Sequence, residues 1–233
     1  MDFRDAQSEL DDLVAMKTLL TSTGSAVGQL EIQFELEDPI APSGTWFLDY
    51  LNHEIRNGVR FQAGETVQIG WMLAMLDGNT QDDGSSCLEL REPDFKSIPI
   101  QWQRGLNQTF RHLVLQKSVC EALKCEPVFP EVRFAGIVSP SFFGGKQFAM
   151  WREETEGADS GWMFDLLTGD RNEGQFQSLY QIVLEKPEVI PFLALPAGSL
   201  ITWDETQVCV EYDGRQISSR DDVMLGCWFE RDG

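Results

Sequence analysis

The chain has 233 residues, 38 acidic and 18 basic, for a net charge of −20 and a pI near 4.3. That length accommodates one large domain or two small ones, and 42% hydrophobic content with 11% aromatics is too apolar for a disordered acidic tail. The acidity, shared equally by the two halves, excludes a basic nucleic-acid or anionic-lipid binder and favours encounter with a cationic partner.

No run nears the roughly 18 consecutive apolar residues of a membrane helix. The first apolar run, Leu13 to Met16, follows Asp11-Asp12 and so lacks the basic region of a signal peptide. The expected location is the cytoplasm. Five scattered cysteines, Cys87, Cys120, Cys125, Cys209 and Cys227, include no C-x-x-C pair. Reduced thiols and no metal or other cofactor are expected.

In chain order, apolar spacing over residues 6–20 (Leu10, Leu13, Val14, Met16, Leu20) predicts a helix, ended by a loose turn over 21–28. Alternation over Leu30 to Leu36 predicts a half-buried strand. Trp46 to Ile55, bounded by Gly44 and Gly58, predicts a short helix. Thr66 to Leu76 reads as one apolar strand, joined by a polar, acidic tip over Asp77 to Ser86 to a returning strand at Cys87 to Leu90. Leu106 to Leu123 has the clearest 3.6-residue period, with Asn107 placed to cap it.

Pro127 and Pro130 break the pattern, and Cys125 to Glu131 is taken as the boundary between residues 1–126 and 127–233. Beyond it come strands at Val132 to Val138 and Lys146 to Arg152 around the Gly144-Gly145 turn. An acidic loop, Glu153 to Ser160, leads back to a strand at Gly161 to Phe164. Phe176 to Val189 reads as a helix, and Leu200 to Trp203 with Val208 to Tyr212 as a hairpin around Asp204-Glu205, with Asp213-Gly214 as the next turn. The expected fold class is α+β, with two small sheet-plus-helix domains.

Catalytic motifs are missing. His53-Glu54-Ile55-Arg56-Asn57 lacks the second histidine of a zinc-protease signature. Gly144-Gly145-Lys146 lacks the earlier glycine and the following Ser or Thr of a phosphate loop. No G-x-S-x-G or G-x-G-x-x-G occurs, and His53 and His112 are the only histidines. A binding protein is expected instead of an enzyme. Acidic groups at Glu35 to Asp38, Asp82-Asp83 and Glu153 to Glu156 fall in loops or at strand ends, where recognition residues concentrate. Of the seven tryptophans, Trp151 beside the acidic loop is the best candidate for an exposed anchor.

Several stretches of the second half are familiar: Ala135 to Ser139, Met150 to Glu154, Asp159-Ser160-Gly161-Trp162-Met163-Phe164 with the later Gly169-Asp170, and Pro191 to Pro196. Together with Gly70-Trp71, Glu92 to Phe95 and parts of Arg111 to Glu121, they resemble a bacterial domain family classed among polymorphic-toxin immunity proteins, in the group numbered thirty-three. The resemblance covers about half the chain and carries no catalytic box. It implies a protein that binds and neutralises a cognate toxin, often one delivered by a contact-dependent or type VI-like route. A cationic nuclease toxin, which must grip phosphates, would suit an acidic inhibitor. The candidate toxin-binding residues are Asp82, Asp83, Trp151, Glu153, Glu154, Glu156 and Asp159. A cytosolic adaptor for an endogenous protein is the alternative, and an enzyme built from scattered carboxylates a distant third. The oligomeric state is left open.

Overall fold

The structure, a computed structural model, describes residues 15–81, 84–167 and 174–232. The chain forms two compact units that interleave in sequence. The first comprises Met1–Val67, Leu73–Asp94 and Trp102–Arg111, and the second Gln68–Met72, Phe95–Gln101 and His112–Gly233. Both combine helix and sheet, giving the α+β class.

Mostly within the first unit, β1 (Met16–Leu20), β2 (Ile32–Glu37), β3 (Thr66–Ile69), β4 (Met72–Thr80), β5 (Ser86–Pro93) and β6 (Trp102–Arg104) build one sheet. Its order is β1-β2-β5-β4-β3, with β6 also on β5. The β2–β5 pair is parallel, and β1–β2, β4–β5 and β5–β6 are antiparallel.

The expected helix over 6–20 is overturned where it can be followed. Met16–Leu20 is a strand whose backbone pairs in register with Gln33–Glu37. Only Leu19 of it is buried, so the apolar spacing was that of an edge strand. Leu10, Leu13 and Val14 lie outside the described residues. Thr66 to Leu76 is two strands, divided at Gly70 (φ 62°), a backbone angle that suits glycine. The acidic tip is shorter than expected, because Thr80 already pairs with Ser86. Asp82 and Asp83 lie outside the described residues.

Helix α1 (Ala41–Arg56) begins earlier than its apolar pattern, because Pro42 suits a first turn whose N–H groups have no helical partner. Gly44, expected to bound this helix, lies inside it. A Cβ there would come within 2.5 Å of Leu36, so glycine lets the helix sit directly on β2. Phe47, Leu51 and Ile55 complete the buried face. The ring of Phe34 lies 5.6 Å from that of Phe47 and 6.4 Å from that of Phe110.

Helix α2 (Asn107–Ala122) forms where its period predicts, opening in the first unit and continuing in the second. Its cap differs from expectation. The Asn107 amide oxygen accepts from the Glu37 N–H at 2.8 Å, so it ties down the end of β2. The free N–H groups of the first turn go to Glu92 of β5, whose carboxylate accepts from Gln108 N (3.1 Å), Thr109 N (2.7 Å) and the Thr109 hydroxyl (2.9 Å). Glu92 is 1% exposed, and burial raises its carboxyl above the ordinary 4.5 despite those bonds.

The second unit holds β7 (Ala135–Val138), β8 (Phe148–Arg152), β9 (Asp159–Leu166), β10 (Gln175–Ser178), β11 (Leu200–Trp203), β12 (Val208–Tyr212) and β13 (Arg215–Ser218). Their order is β10-β7-β9-β8-β11-β12-β13, parallel at β7–β9 and antiparallel elsewhere. Phe176 to Val189, expected as one helix, is instead β10, then α3 (Leu179–Glu185), then a 3-10 turn over Pro187–Phe192. Ser178 starts the helix, through a reciprocal capping box with Gln181. Helix α4 (Val223–Asp232), which the pattern did not suggest, closes the chain. In the core, Phe148 lies 5.3 Å from Phe142 and 5.5 Å from Trp203, ring to ring. Lys186 is buried against Phe142 and Phe148, its ammonium donating to the Gly145 carbonyl at 2.6 Å.

The Glu92 cap predicts a pH signature. A carboxyl raised in the folded state contributes its stability fully below the unfolded value of 4.5 and loses it as pH rises through the folded value. Relative to the non-titrating Glu92→Gln variant, wild type should therefore lose stability as pH rises from about 4.5 in urea unfolding, and the loss should level off once the folded carboxyl has ionised. Glu92→Ala, which frees the helix N–H groups, should cost about 1–2 kcal/mol in the same unfolding measurement.

Candidate functional site

Strand β8 alternates, turning Phe148, Met150 and Arg152 inward and Ala149 and Trp151 outward. Arg152 is 8% exposed, and carbonyls from three separate segments satisfy it. Its Nε donates to Ser160 (2.9 Å), and one terminal nitrogen donates to Val128 and Leu195 (2.6 Å each). The guanidinium also lies 5.7 Å from the Trp162 ring centre. Burial pulls its pKa below the ordinary arginine value, and the nearby charge of Glu154 opposes that shift.

The turn after β8 is built around Gly161. At φ 76°, Gly161 brings its backbone against the Glu153 carbonyl, leaving no room for a Cβ. Its own carbonyl accepts from Glu153 N at 2.9 Å. On one side the Ser160 hydroxyl donates to the Ala135 carbonyl (2.6 Å), and on the other the Trp162 indole donates to the Leu193 carbonyl (3.1 Å). Ser160-Gly161-Trp162 therefore joins β9 to β7 and to the turn before β11.

Around this frame, Glu153, Glu154 and Glu156 are exposed. Asp159 is half-buried, with one carboxylate oxygen accepting from Gly161 N at 2.9 Å, which makes it a turn-forming residue. Trp151 is half-buried and donates from its indole to Glu153 at 3.2 Å. Five of the seven sequence-predicted residues, Trp151, Glu153, Glu154, Glu156 and Asp159, thus come together at the β8–β9 turn. Trp46 on α1 is more exposed than Trp151, at 45%.

Residues 115–213 match the Imm33-like domain. The matched segment is less than half of the chain, lies in its C-terminal half and contains the whole β7-to-β12 framework, including Arg152 and Ser160-Gly161-Trp162. It relates this half to an immunity protein family. No curated protein and no solved structure gives a significant match to the chain.

Each unit leaves a sheet face open, and the two differ in character. In the Imm33-like half, Phe176 pairs with Ile137, Ile137 with Met163, Met163 with Trp151, and Trp151 with Leu200. Directly paired residues share a face, so these five side chains form one apolar row across five strands. A shallow groove of about 170 Å³ runs beside it, lined by Ile137, Ser139, Trp151, Met163, Phe164, Asp165 and Gly174. Sequence reading missed this row. Its members sit in five separate strands, and only the register aligns them.

In the first unit the open face is polar. The Glu89 carboxylate is 3% exposed and lies between Arg91 (3.0 Å) and Arg104 (2.9 Å). Arg104 also pairs with Glu35, and Arg91 with Asp77. Thr18, Gln33 and Gln81 join them around a cleft of about 590 Å³. The guanidinium groups there already face carboxylates.

Of the two histidines, His53 lies on α1 within 2.8 Å of Asn57, and His112 sits among aromatic rings, 5.7 Å from Trp71 and 5.6 Å from Phe95. Among the described residues no group of three or more His, Cys, Asp or Glu is placed to hold a metal, and no helix is long and apolar enough to cross a membrane. All five cysteines are free thiols, and burial pushes Cys120 up to about 12.

Arg152→Met leaves three carbonyls without their donor and should lower stability by about 3 kcal/mol or more in denaturant unfolding. A thiol reagent should label exposed Cys227 first in the native protein and Cys120 only on unfolding, which peptide mapping would show.

Proposed function

We propose that this protein is an immunity protein, which binds a cognate toxin and neutralises it without catalysis of its own. The observation that carries this reading is the match of residues 115–213 to the Imm33-like domain. The net charge of −20 supports a cationic toxin, such as a nuclease, captured at a rate raised by electrostatic steering. A protective role of this kind places the protein in the cytoplasm, where a delivered effector would act, and a type VI-like route suits such an effector.

Trp151 and the acidic residues Glu153, Glu154, Glu156 and Asp159, with Asp82 and Asp83, are the proposed toxin-facing set. Within it, Asp159 acts by shaping the turn, while the three exposed glutamates supply the field.

The test is direct. The C-terminal domain encoded by the neighbouring open reading frame is co-expressed with this protein. A stable complex that suppresses toxicity is the expected outcome, and a harmless or non-binding neighbour would refute the reading. Reversing the loop charge with Glu153→Lys, Glu154→Lys and Glu156→Lys together should slow association about tenfold at low salt and leave dissociation nearly unchanged. An unaltered association rate in stopped flow would remove the loop from the encounter surface.

A further inference from the structure

We infer that the toxin docks on the open face of the seven-stranded sheet, with the row Phe176–Ile137–Met163–Trp151–Leu200 at the centre of the contact. This rests on the immunity reading and goes past it by assigning the surface.

A sheet face left to solvent normally carries polar side chains at alternate positions, and the open face of the first unit does so with Thr18, Gln33, Glu35 and Glu89. The second sheet departs from that rule. Phe176 is 69% exposed and Leu200 37%, and the three residues between them are half-buried. Five adjacent strands at about 4.8 Å spacing make the row roughly 19 Å wide, within the reach of one protein interface. Contiguous apolar surface of this kind marks an interaction site.

The charges around the row identify the occupant. On this face, Asp165 pairs opposite Ala149 and Glu211 opposite Leu200, and Glu153 is held to the Trp151 indole. No Lys or Arg occupies a paired position on this face among the described residues. An apolar centre with an acidic rim fits a partner with an apolar patch ringed by Lys and Arg, the surface expected of a cationic toxin. A second copy of this chain would set acid against acid. The arrangement also gives Trp151 a role: it is the aromatic anchor where the row meets the acidic loop.

The experiment uses the full chain and an inactivated form of the toxin domain encoded beside it. Titration calorimetry compares wild type, Phe176→Glu with Leu200→Glu, and Val223→Glu, a control at an 84% exposed position outside the face. Melting curves verify that all three are folded. The expected result is a Kd raised about hundredfold or more by the double variant, with melting unchanged and the control binding like wild type. Binding by the double variant within about threefold of wild type overturns the surface assignment while the immunity reading stands. A control weakened equally also overturns it, since the loss would then follow net charge. If wild type itself fails to bind, the immunity reading falls and this inference with it.

Discussion

A buried guanidinium organises the second unit. Among the described residues Arg152 has no carboxylate within ion-pair distance, yet it is almost wholly removed from water, so carbonyl dipoles must stabilise its charge. Those dipoles come from Val128, Ser160 and Leu195, residues far apart in the chain. The strand carrying the arginine, the start of β9 and two coil segments are thereby fixed at one point. The backbone repeats the arrangement, because Arg152 N donates to Ser199 and Gly198 N donates to Arg152. With Arg152 inward, strand alternation forces Trp151 outward.

The two open sheet faces show how similar strand architecture serves different ends. In the first unit a nearly buried Glu89 is surrounded by two arginines, and Glu35 and Asp77 complete the network. Such a face satisfies itself, and its partners are already present in the fold. In the second unit the row from Phe176 to Leu200 has no such completion among the described residues. Its apolar atoms stay in water unless another surface covers them, and the free energy of that covering is available for binding.

Local pattern made part of this legible. Helix α2 was readable from its period, and the β11–β12 hairpin from its alternation and turn. The Ser160-Gly161-Trp162 segment was recognisable as a family signature, and the structure supplies its physical reason in the left-handed glycine and the two flanking carbonyl contacts. Other elements misled for identifiable reasons. Met16–Leu20 spaced its apolar residues like a helix because an edge strand need not alternate. Phe176 fell on an apparent helical face, but the Ser178 capping box starts the helix after it. Asn107 occupied a capping position, yet the cap came from Glu92 on another strand.

The sequence alone determined the α+β class, the net acidity and the acidic loop beside Trp151, because composition and short-range spacing carry that information. Only the tertiary structure decided that Arg152 is an internal clamp, that Asp159 shapes a turn, that Glu89 is paired with two arginines and that five scattered apolar residues form one row. Each of those depends on strand register or on contacts between residues distant in the chain. Periodicity along a single segment does not encode which strand becomes its neighbour, and it is the neighbour that decides whether a side chain is buried, paired or left facing water.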